Sequence, residues 1–369
     1  MLSWDELAAR TLARQFPVGP EPDVTGLLRK VGPVQSQTAR SVFLGLAARS
    51  PGITRDEITA GYESFAIVRG SSLRGTVHTS VAEQHPLLEV ATRLGQRALW
   101  ARSLRLAETT LEQVWDGIEA YAAEEWRTPG ELAEHLLGWL AVNDPDARPA
   151  FSGNQGRYFA FGHGGLIRRP LQGDWTGQAA PVYRTAAALL GDRHAVLADP
   201  DAALDALLRQ QVRAAGPLSR EDLAWWSGVG LTRVDAALAR LALPSEPGAD
   251  GRAYHDVPDA PPPAELRGVR LLPEFDALFC AFEPAGRERF VDADHYAVLW
   301  KQANGQLLAP VLLDHRLRGH WRLTGTPRHR RLEVSLYPGG RRPARAELDD
   351  AVSAVRLALG VTVDGLDLV

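Results

Sequence analysis

Two glutamines near the N-terminus are the residues whose types and spacing most directly suggest chemistry. Gln35 and Gln37 follow a Gly32-Pro33 break and precede an apolar run at residues 42–46. A helix does not pass easily through a Gly-Pro step, so the two amides should lie where a helix begins. An amide both accepts and donates hydrogen bonds, so this pair could hold a water molecule, contact a base edge or cap the local backbone.

The rest of the composition excludes most other kinds of site. Cys280 is the only cysteine in 369 residues, which excludes an intramolecular disulfide and any cysteine metal cluster, and its apolar neighbours indicate a buried, inert thiol. Neither a His-Glu-x-x-His pattern nor a calcium-type set of carboxylates is present, so we predict no metal and no cofactor. No apolar run approaches the roughly 20 residues that span a bilayer, and no signal peptide is evident. We therefore expect a cytoplasmic protein without a membrane partner.

Arginines cluster in one segment, although the net charge of the chain is -4. Residues 315–345 contain nine arginines against one acid, Glu333. Arginine makes bidentate contacts with phosphate, so this segment predicts a surface for a phosphate-bearing partner such as DNA. The alternative is a sheet edge whose charges only prevent aggregation. The candidate DNA contacts in this segment are Arg316, Arg318, Arg322, Arg328, Arg330 and Arg331.

Caps, breaks and apolar spacing predict short helices followed by hairpins along the first two thirds of the chain. In residues 1–80, four helices precede two β-like runs, 65–69 and 73–80, which are separated by a Gly-Ser-Ser turn. Helices closed by such a hairpin are typical of a winged helix, a variant of helix-turn-helix. The pairs with capping-box spacing at predicted helix starts are Ser3 with Glu6, Thr54 with Glu57, Thr128 with Glu131 and Ser219 with Asp222.

The same order of elements comes twice more before the composition changes. Residues 81–198 and 199–258 each have predicted helices followed by β-like runs, and a proline-rich linker at residues 258–263 ends the series. Residues 264–369 contain short β-like runs, one of them at 277–282, and one closing helix. The predicted fold class is therefore α+β, with three tandem winged-helix units at 1–80, 81–198 and 199–258 and a small antiparallel β-barrel-like domain at 264–369.

Three motifs in this order resemble the AlkZ-type winged-helix DNA glycosylases, also called the HTH-42 family. They are Val-Gln-Ser-Gln at residues 34–37, Arg-Gly-Thr-Val-His at 74–78 and Leu-Pro-Glu-Phe-Asp at 272–276. The resemblance covers essentially the whole chain. It is nearest to the bacterial type that protects producers of azinomycin, a natural product that crosslinks DNA.

The resemblance implies roles for individual residues. The family's catalytic signature, glutamine, an aliphatic residue and glutamine, falls on Gln35, Ser36 and Gln37, and Ser36 departs from it. Backbone alternation should point residue 36 away from its neighbours, so we expect the departure to affect packing more than chemistry. The alternative is a paralogue with altered activity. Arg40 and Arg74 are further candidate DNA contacts, with a salt bridge as the alternative for Arg74.

The implied activity is that of a monofunctional DNA glycosylase acting on cationic N-alkylated purines, including crosslinked ones. Such a base leaves as a neutral molecule, so two amides that place a water can replace the two carboxylates of ordinary glycosidases. The expected partner is double-stranded DNA, and the expected state is a monomer. A non-catalytic winged-helix regulator and a protein that sequesters a toxin are the alternatives.

Overall fold

The computed structural model describes residues 1–17, 23–147, 158–177, 179–301, 306–326 and 329–369. These residues form an α+β structure, and none of their helices is long and apolar enough to cross a membrane. The helices are α1 (Trp4–Gln15), α2 (Val24–Val31), α3 (Ser41–Arg49), α4 (Arg55–Glu63), α5 (His85–Leu104), α6 (Leu111–Tyr121), α7 (Pro129–Asn143), α8 (Ala186–Leu190), α9 (His194–Ala198), α10 (Pro200–Ala215), α11 (Arg220–Ser227), α12 (Leu231–Leu241), α13 (Ala277–Cys280), α14 (Ala293–Leu299) and α15 (Arg345–Leu359). The strands are β1 (Val34–Gln35), β2 (Ile67–Ser71), β3 (Val77–Val81), β4 (Leu166–Pro170), β5 (Pro181–Thr185), β6 (Leu218–Ser219), β7 (Ser245–Pro247), β8 (Ala253–His255), β9 (Val269–Leu271), β10 (Trp300–Lys301), β11 (Gln306–Leu307), β12 (Ala309–Leu313), β13 (Arg316–Gly325), β14 (Arg330–Leu336) and β15 (Val363–Leu368).

The four predicted capping pairs form hydrogen-bonded boxes at the starts of α1, α4, α7 and α11. At α1 the Ser3 hydroxyl accepts from the Glu6 backbone N–H at 3.2 Å, and the Glu6 carboxylate accepts from the Ser3 N–H at 2.8 Å. The same reciprocal pattern recurs at the other three helices. Each box satisfies N–H groups that the first helical turn leaves without partners, which is why these helix starts could be predicted.

The two predicted wings join into one five-stranded sheet with strand order β1-β3-β2-β4-β5. The first hairpin, β2 with β3, connects to the second, β4 with β5, through the pairing of Gly70 with Ile167. The strand β1 lies at one edge, antiparallel to β3, with Gln35 opposite His78. The sheet therefore holds the first glutamine of the motif beside the hairpin of the first wing.

Residues of the third predicted unit form α10, α11 and α12 with a three-stranded sheet of order β6-β8-β7. Their apolar side chains share a core with other parts of the chain, since Leu12 of α1, Leu88 of α5, Leu208 of α10 and Phe279 of α13 belong to one cluster. The predicted units are thus packed against one another. The division into three winged helices stays a prediction.

The C-terminal sheet differs from the predicted antiparallel barrel. Its five strands follow the order β15-β14-β13-β12-β9, and the pair β14 and β15 is parallel. The prediction of an all-antiparallel sheet is wrong because it did not include β15, the strand that follows α15. A helix between two strands is the connection that allows them to pair in parallel.

The sequence predicts a strand at residues 277–282, and this prediction is also wrong. The chain forms the short helix α13 there, with the Asp276 carboxylate accepting a hydrogen bond from the Leu278 N–H at 3.0 Å. A short apolar run without polar alternation does not distinguish a buried strand from a buried helix. The cap at Asp276 decides in favour of the helix.

Candidate active site

The two glutamines of the motif lie at and just beyond the end of β1, with their amide oxygens held by different donors. Gln35 is 7% exposed, and its Oε1 accepts a hydrogen bond from Arg74 Nη2 at 3.0 Å. Gln37 is exposed, and its Oε1 accepts from the Val77 backbone N–H at 3.3 Å. A carbonyl oxygen has two lone pairs, so each amide oxygen can still accept one hydrogen bond from a ligand or a water.

Arg74 reaches Gln35 from a tight turn between β2 and β3. Its backbone is in the left-handed region, with φ of 57°, inside the 3-10 turn Leu73–Gly75. Its Nη1 donates to the Trp226 carbonyl oxygen of α11, so the guanidinium bridges the first wing and the third helical group. We predict Arg74 as a DNA contact or a salt-bridge partner; the structure places its donors on a glutamine side chain and a backbone carbonyl.

Ser36 faces the opposite side of the strand from Gln35, into a buried hydroxyl chain. The Ser36 and Thr79 hydroxyl oxygens are 3.0 Å apart, and the Thr79 hydroxyl is 2.7 Å from that of Tyr62. Burial raises the pKa of Tyr62 to about 12, which keeps this chain neutral. The position therefore has polar partners of its own, which accounts physically for a serine where the resemblance implies an aliphatic residue.

A small cavity beside Gln35 contains neutral side chains only. Its lining includes Gln15, Gln35, His78, Gln211 and Cys280, and no described aspartate or glutamate lines it. Burial, with Arg74 adding to it, holds the pKa of His78 well below its usual 6.5, so His78 is neutral at physiological pH. Burial raises the pKa of Cys280 to about 11, which keeps the thiol protonated. The side chains that line the cavity are therefore uncharged, and the cation Arg74 contacts Gln35.

The Leu-Pro-Glu-Phe-Asp segment attaches the glutamine motif to the C-terminal region. Asp276 accepts two hydrogen bonds from Arg49 at 2.8 and 2.9 Å, and both side chains are 1% exposed. Glu274 accepts from Arg40 Nη2 at 2.6 Å, just before α3. The predicted DNA contact Arg40 thus carries an ion pair in this structure. Removing one partner of a buried ion pair greatly lowers protein stability, so the Arg49–Asp276 pair holds the helix that follows the glutamines in place.

The first two arginines of the basic segment, Arg316 and Arg318, both pair with Asp292. Their side chains are 17% and 18% exposed, and each donates to a different oxygen of that carboxylate. Arg316 also donates to the Glu288 carbonyl oxygen at 3.1 Å. The two arginines thus share one carboxylate, which lies just before α14. Arg328, also a predicted contact, lies outside the described residues.

The remaining arginines of the segment lie further along the β13–β14 hairpin. Arg322 is 70% exposed beside Glu333, and Arg331 is 53% exposed beside Asp367. Arg330 is half-buried, its Nε is buried without a partner, and no acid contacts it within the described part of the chain. This end of the hairpin carries the more accessible positive charge, and its contact with DNA stays a prediction.

Arg69 is a residue at the site that the sequence did not single out. It is 7% exposed, and its Nη2 donates to the backbone carbonyl of Ser36 at 2.6 Å, between the two glutamines. In the sequence it ends the apolar run Phe-Ala-Ile-Val, where an arginine is equally consistent with an exposed strand end. In the fold, β2 lies between β3 and β4, a tertiary arrangement that the local sequence does not indicate.

The comparisons with known proteins identify the family. The model of the DNA glycosylase AlkZ-like family matches residues 28–357. The chain belongs to this family. Among solved structures, the DNA glycosylase AlkZ of Streptomyces sahachiroi superposes with a TM-score of 0.80, covers 100% of each chain and is 18% identical, a likeness that shows a shared fold. No curated protein matches the sequence.

Membership in the AlkZ-like DNA glycosylases confirms the resemblance inferred from the sequence. The matched region includes the glutamine motif, the Arg74 turn and the Leu-Pro-Glu-Phe-Asp segment. DNA is the substrate of a DNA glycosylase, and the bond that such an enzyme breaks joins a base to its deoxyribose. This AlkZ-like glycosylase therefore places two anchored amides, rather than a pair of acids, in the motif that carries the resemblance.

Proposed function

We propose that this AlkZ-like glycosylase hydrolyses the N-glycosidic bond of cationic N-alkylated purines in double-stranded DNA, with Gln35 and Gln37 as its catalytic residues. The observation that carries the proposal is that the described residues place no carboxylate beside the two amides. Both amide oxygens are held by donors, and no described carboxylate lines the cavity beside Gln35. Glycosidases that act on neutral leaving groups need one carboxyl group as acid and a second as base or nucleophile.

A purine alkylated at N7 or N3 needs no acid because it already carries the positive charge. When its bond to C1′ breaks, the electron pair returns to the base, which leaves as a neutral molecule. A water oxygen bonds to C1′, and its surplus proton passes to solvent. The free lone pairs on Gln35 Oε1 and Gln37 Oε1 accept hydrogen bonds from this water and stabilise positive charge on the sugar.

The two glutamines divide this work according to their surroundings. Gln35 is buried and fixed by Arg74, so its oxygen has a defined position from which to orient the water. Gln37 is exposed, so an adduct too large for an enclosed pocket can approach it. This accessibility supports the unhooking of interstrand crosslinks as part of the activity. Neither residue carries an amine that could form a Schiff base, which is consistent with a monofunctional enzyme.

The test is a comparison of substrates that differ in the charge of the base. The protein is incubated with one duplex containing a single N7-methylguanine and with a matched duplex containing uracil, and abasic sites are then cleaved with alkali. We expect strand cleavage at N7-methylguanine and none above background at uracil. Comparable cleavage of both duplexes would contradict the proposed substrate class, because a neutral base needs a proton that this site does not supply.

A further inference from the structure

Arg69 and Arg168 form a side-by-side pair on the same sheet that carries Gln35. Gly70 of β2 pairs with Ile167 of β4, and in an antiparallel pair the flanking residues, Arg69 and Arg168, come next to each other on one face. Tyr183 of β5 lies opposite Arg168, and the Arg168 guanidinium is 5.8 Å from the centre of its ring. The row thus consists of two cations and an aromatic ring.

No acid compensates these two charges within the described residues. Arg69 uses Nη2 for the Ser36 carbonyl oxygen, and its Nε is buried without a partner. Arg168 is half-buried and makes no hydrogen bond or ion pair in the described part of the chain. Burial, and then the neighbouring Arg168, lower the pKa of Arg69 to about 10, which leaves Arg69 charged at neutral pH.

The other buried arginines of the described residues have partners within the protein that account for their burial. Arg287 is surrounded by aromatic rings and donates to the Tyr296 hydroxyl, so it does not require an acid. The buried arginines that face a carboxylate are Arg14 with Asp256, Arg49 with Asp276, Arg193 with Glu89 and Arg289 with Asp222. Arg69 and Arg168 differ from these because two like charges next to each other in a sheet are destabilising, and a bound anion would relieve that repulsion.

We propose that Arg168, with Arg69 beside it, binds a backbone phosphate of the DNA. DNA is the anion that this family acts on, and guanidinium donors match the two free oxygens of a phosphodiester. Arg69 also donates to the Ser36 carbonyl between Gln35 and Gln37, so the pair contacts the backbone of the motif, from the face of the sheet opposite the Gln35 side chain. That the bound DNA is a substrate for the two glutamines rests on their proposed function.

The first test measures stability and needs no DNA. Because Arg168 opposes a like charge, Arg168→Gln should leave the thermal midpoint of the free protein unchanged or raise it. Inorganic phosphate should raise the midpoint of the wild type more than chloride at equal ionic strength, and this difference should disappear in Arg168→Gln. A lower midpoint in Arg168→Gln, or an equal phosphate effect in both proteins, would make Arg168 a structural residue and overturn the proposal.

The second test measures binding to an undamaged duplex as a function of salt. Arg168→Gln should weaken binding about tenfold. It should also reduce the salt slope, that is, the slope of the logarithm of the binding constant against the logarithm of the salt concentration, by about 1. Arg168→Lys should keep most of this slope. The control is Arg213→Gln, an equally charge-reducing change at an exposed arginine paired with Asp259, which should leave the slope unchanged. Equal slopes for Arg168→Gln and the wild type would overturn the proposal.

These binding measurements are independent of turnover, so the two proposals can fail separately. In one outcome, the salt slope of Arg168→Gln falls while the wild type releases no N7-methylguanine. This result would support the phosphate site and refute the proposed substrate. Release of N7-methylguanine with an unchanged slope in Arg168→Gln would keep the substrate and refute the phosphate site.

Discussion

Arg74 Nη2 donates a hydrogen bond to Gln35 Oε1 at 3.0 Å, while Nη1 of the same guanidinium donates to the backbone of α11. The relationship gives Gln35 a fixed side-chain orientation, because one rigid planar group connects it to a distant helix. It also gives Arg74 a role that differs from a wing arginine lying on phosphate. Arg74 acts here as a positioning residue for the proposed catalytic amide.

We expect Arg74→Lys to lower the single-turnover rate of N7-methylguanine release by about 10- to 100-fold, since a lysine cannot hold both acceptors at once. Binding of an undamaged duplex, and its salt slope, should stay within error of the wild type. The measurement is single-turnover release with enzyme in excess, alongside a salt titration of binding. A slope reduced by about 1 with an unchanged rate would restore the phosphate-contact interpretation of Arg74.

Ser36→Ala tests whether Ser36, the residue that departs from the glutamine–aliphatic–glutamine pattern, acts through packing. Among the described residues, the Ser36 hydroxyl forms a hydrogen bond with the buried Thr79 hydroxyl alone, and Thr79 keeps Tyr62 as a second partner. We therefore expect a loss of about 1 kcal/mol in the free energy of unfolding by urea, and a release rate within about threefold of the wild type. A changed preference among alkylated bases in Ser36→Ala would show instead that this residue contributes to specificity.

The glutamine motif shows what a sequence can and cannot predict. The start of α1 could be predicted because Ser3 and Glu6 satisfy each other locally. The partner of Gln35 could not, because Arg74 reaches it only after β1 pairs with β3. The same holds for Arg316 and Arg318, whose acid, Asp292, lies in a separate loop. Sequence patterns predict local hydrogen bonds, whereas tertiary packing decides which charges remain free.

Protein stability should fall as the pH drops below about 6.5, because two histidines are buried in the neutral form. Burial is the main cause that lowers the pKa of His78, and likewise that of His85, from 6.5 in the folded state. Below pH 6.5 the unfolded chain binds protons that the folded chain does not, which favours unfolding. Urea unfolding at about pH 7.5 and about pH 5.5 should show this loss, and His78→Gln should reduce it. An equal pH dependence in His78→Gln would contradict the assignment for His78.

The arginines of the β13–β14 hairpin should divide into those held by ion pairs within the protein and those exposed enough to contact DNA. Because Arg322 is 70% exposed, Arg322→Gln should weaken binding of an undamaged duplex and reduce the salt slope by about 1. Arg318→Gln should lower the thermal midpoint instead, since it removes a partner of Asp292. Salt titrations and thermal unfolding of both variants make the comparison. A reduced salt slope in Arg318→Gln together with a lowered thermal midpoint in Arg322→Gln would place the DNA surface at the Arg316 and Arg318 end of the hairpin.

The most direct test of the proposed mechanism is the single-turnover rate of N7-methylguanine release by Gln35→Ala, Gln37→Ala and the double variant, each with enough enzyme to bind all of the DNA. We expect a loss of about a hundredfold or more in each single variant, with undamaged-duplex binding and the thermal midpoint close to the wild type. The double variant should lose little more than the worse single variant, because the two amides orient the same water. Release at the wild-type rate in both single variants would contradict the catalytic role of the two glutamines, and the chemistry would then have to be sought outside the glutamine motif.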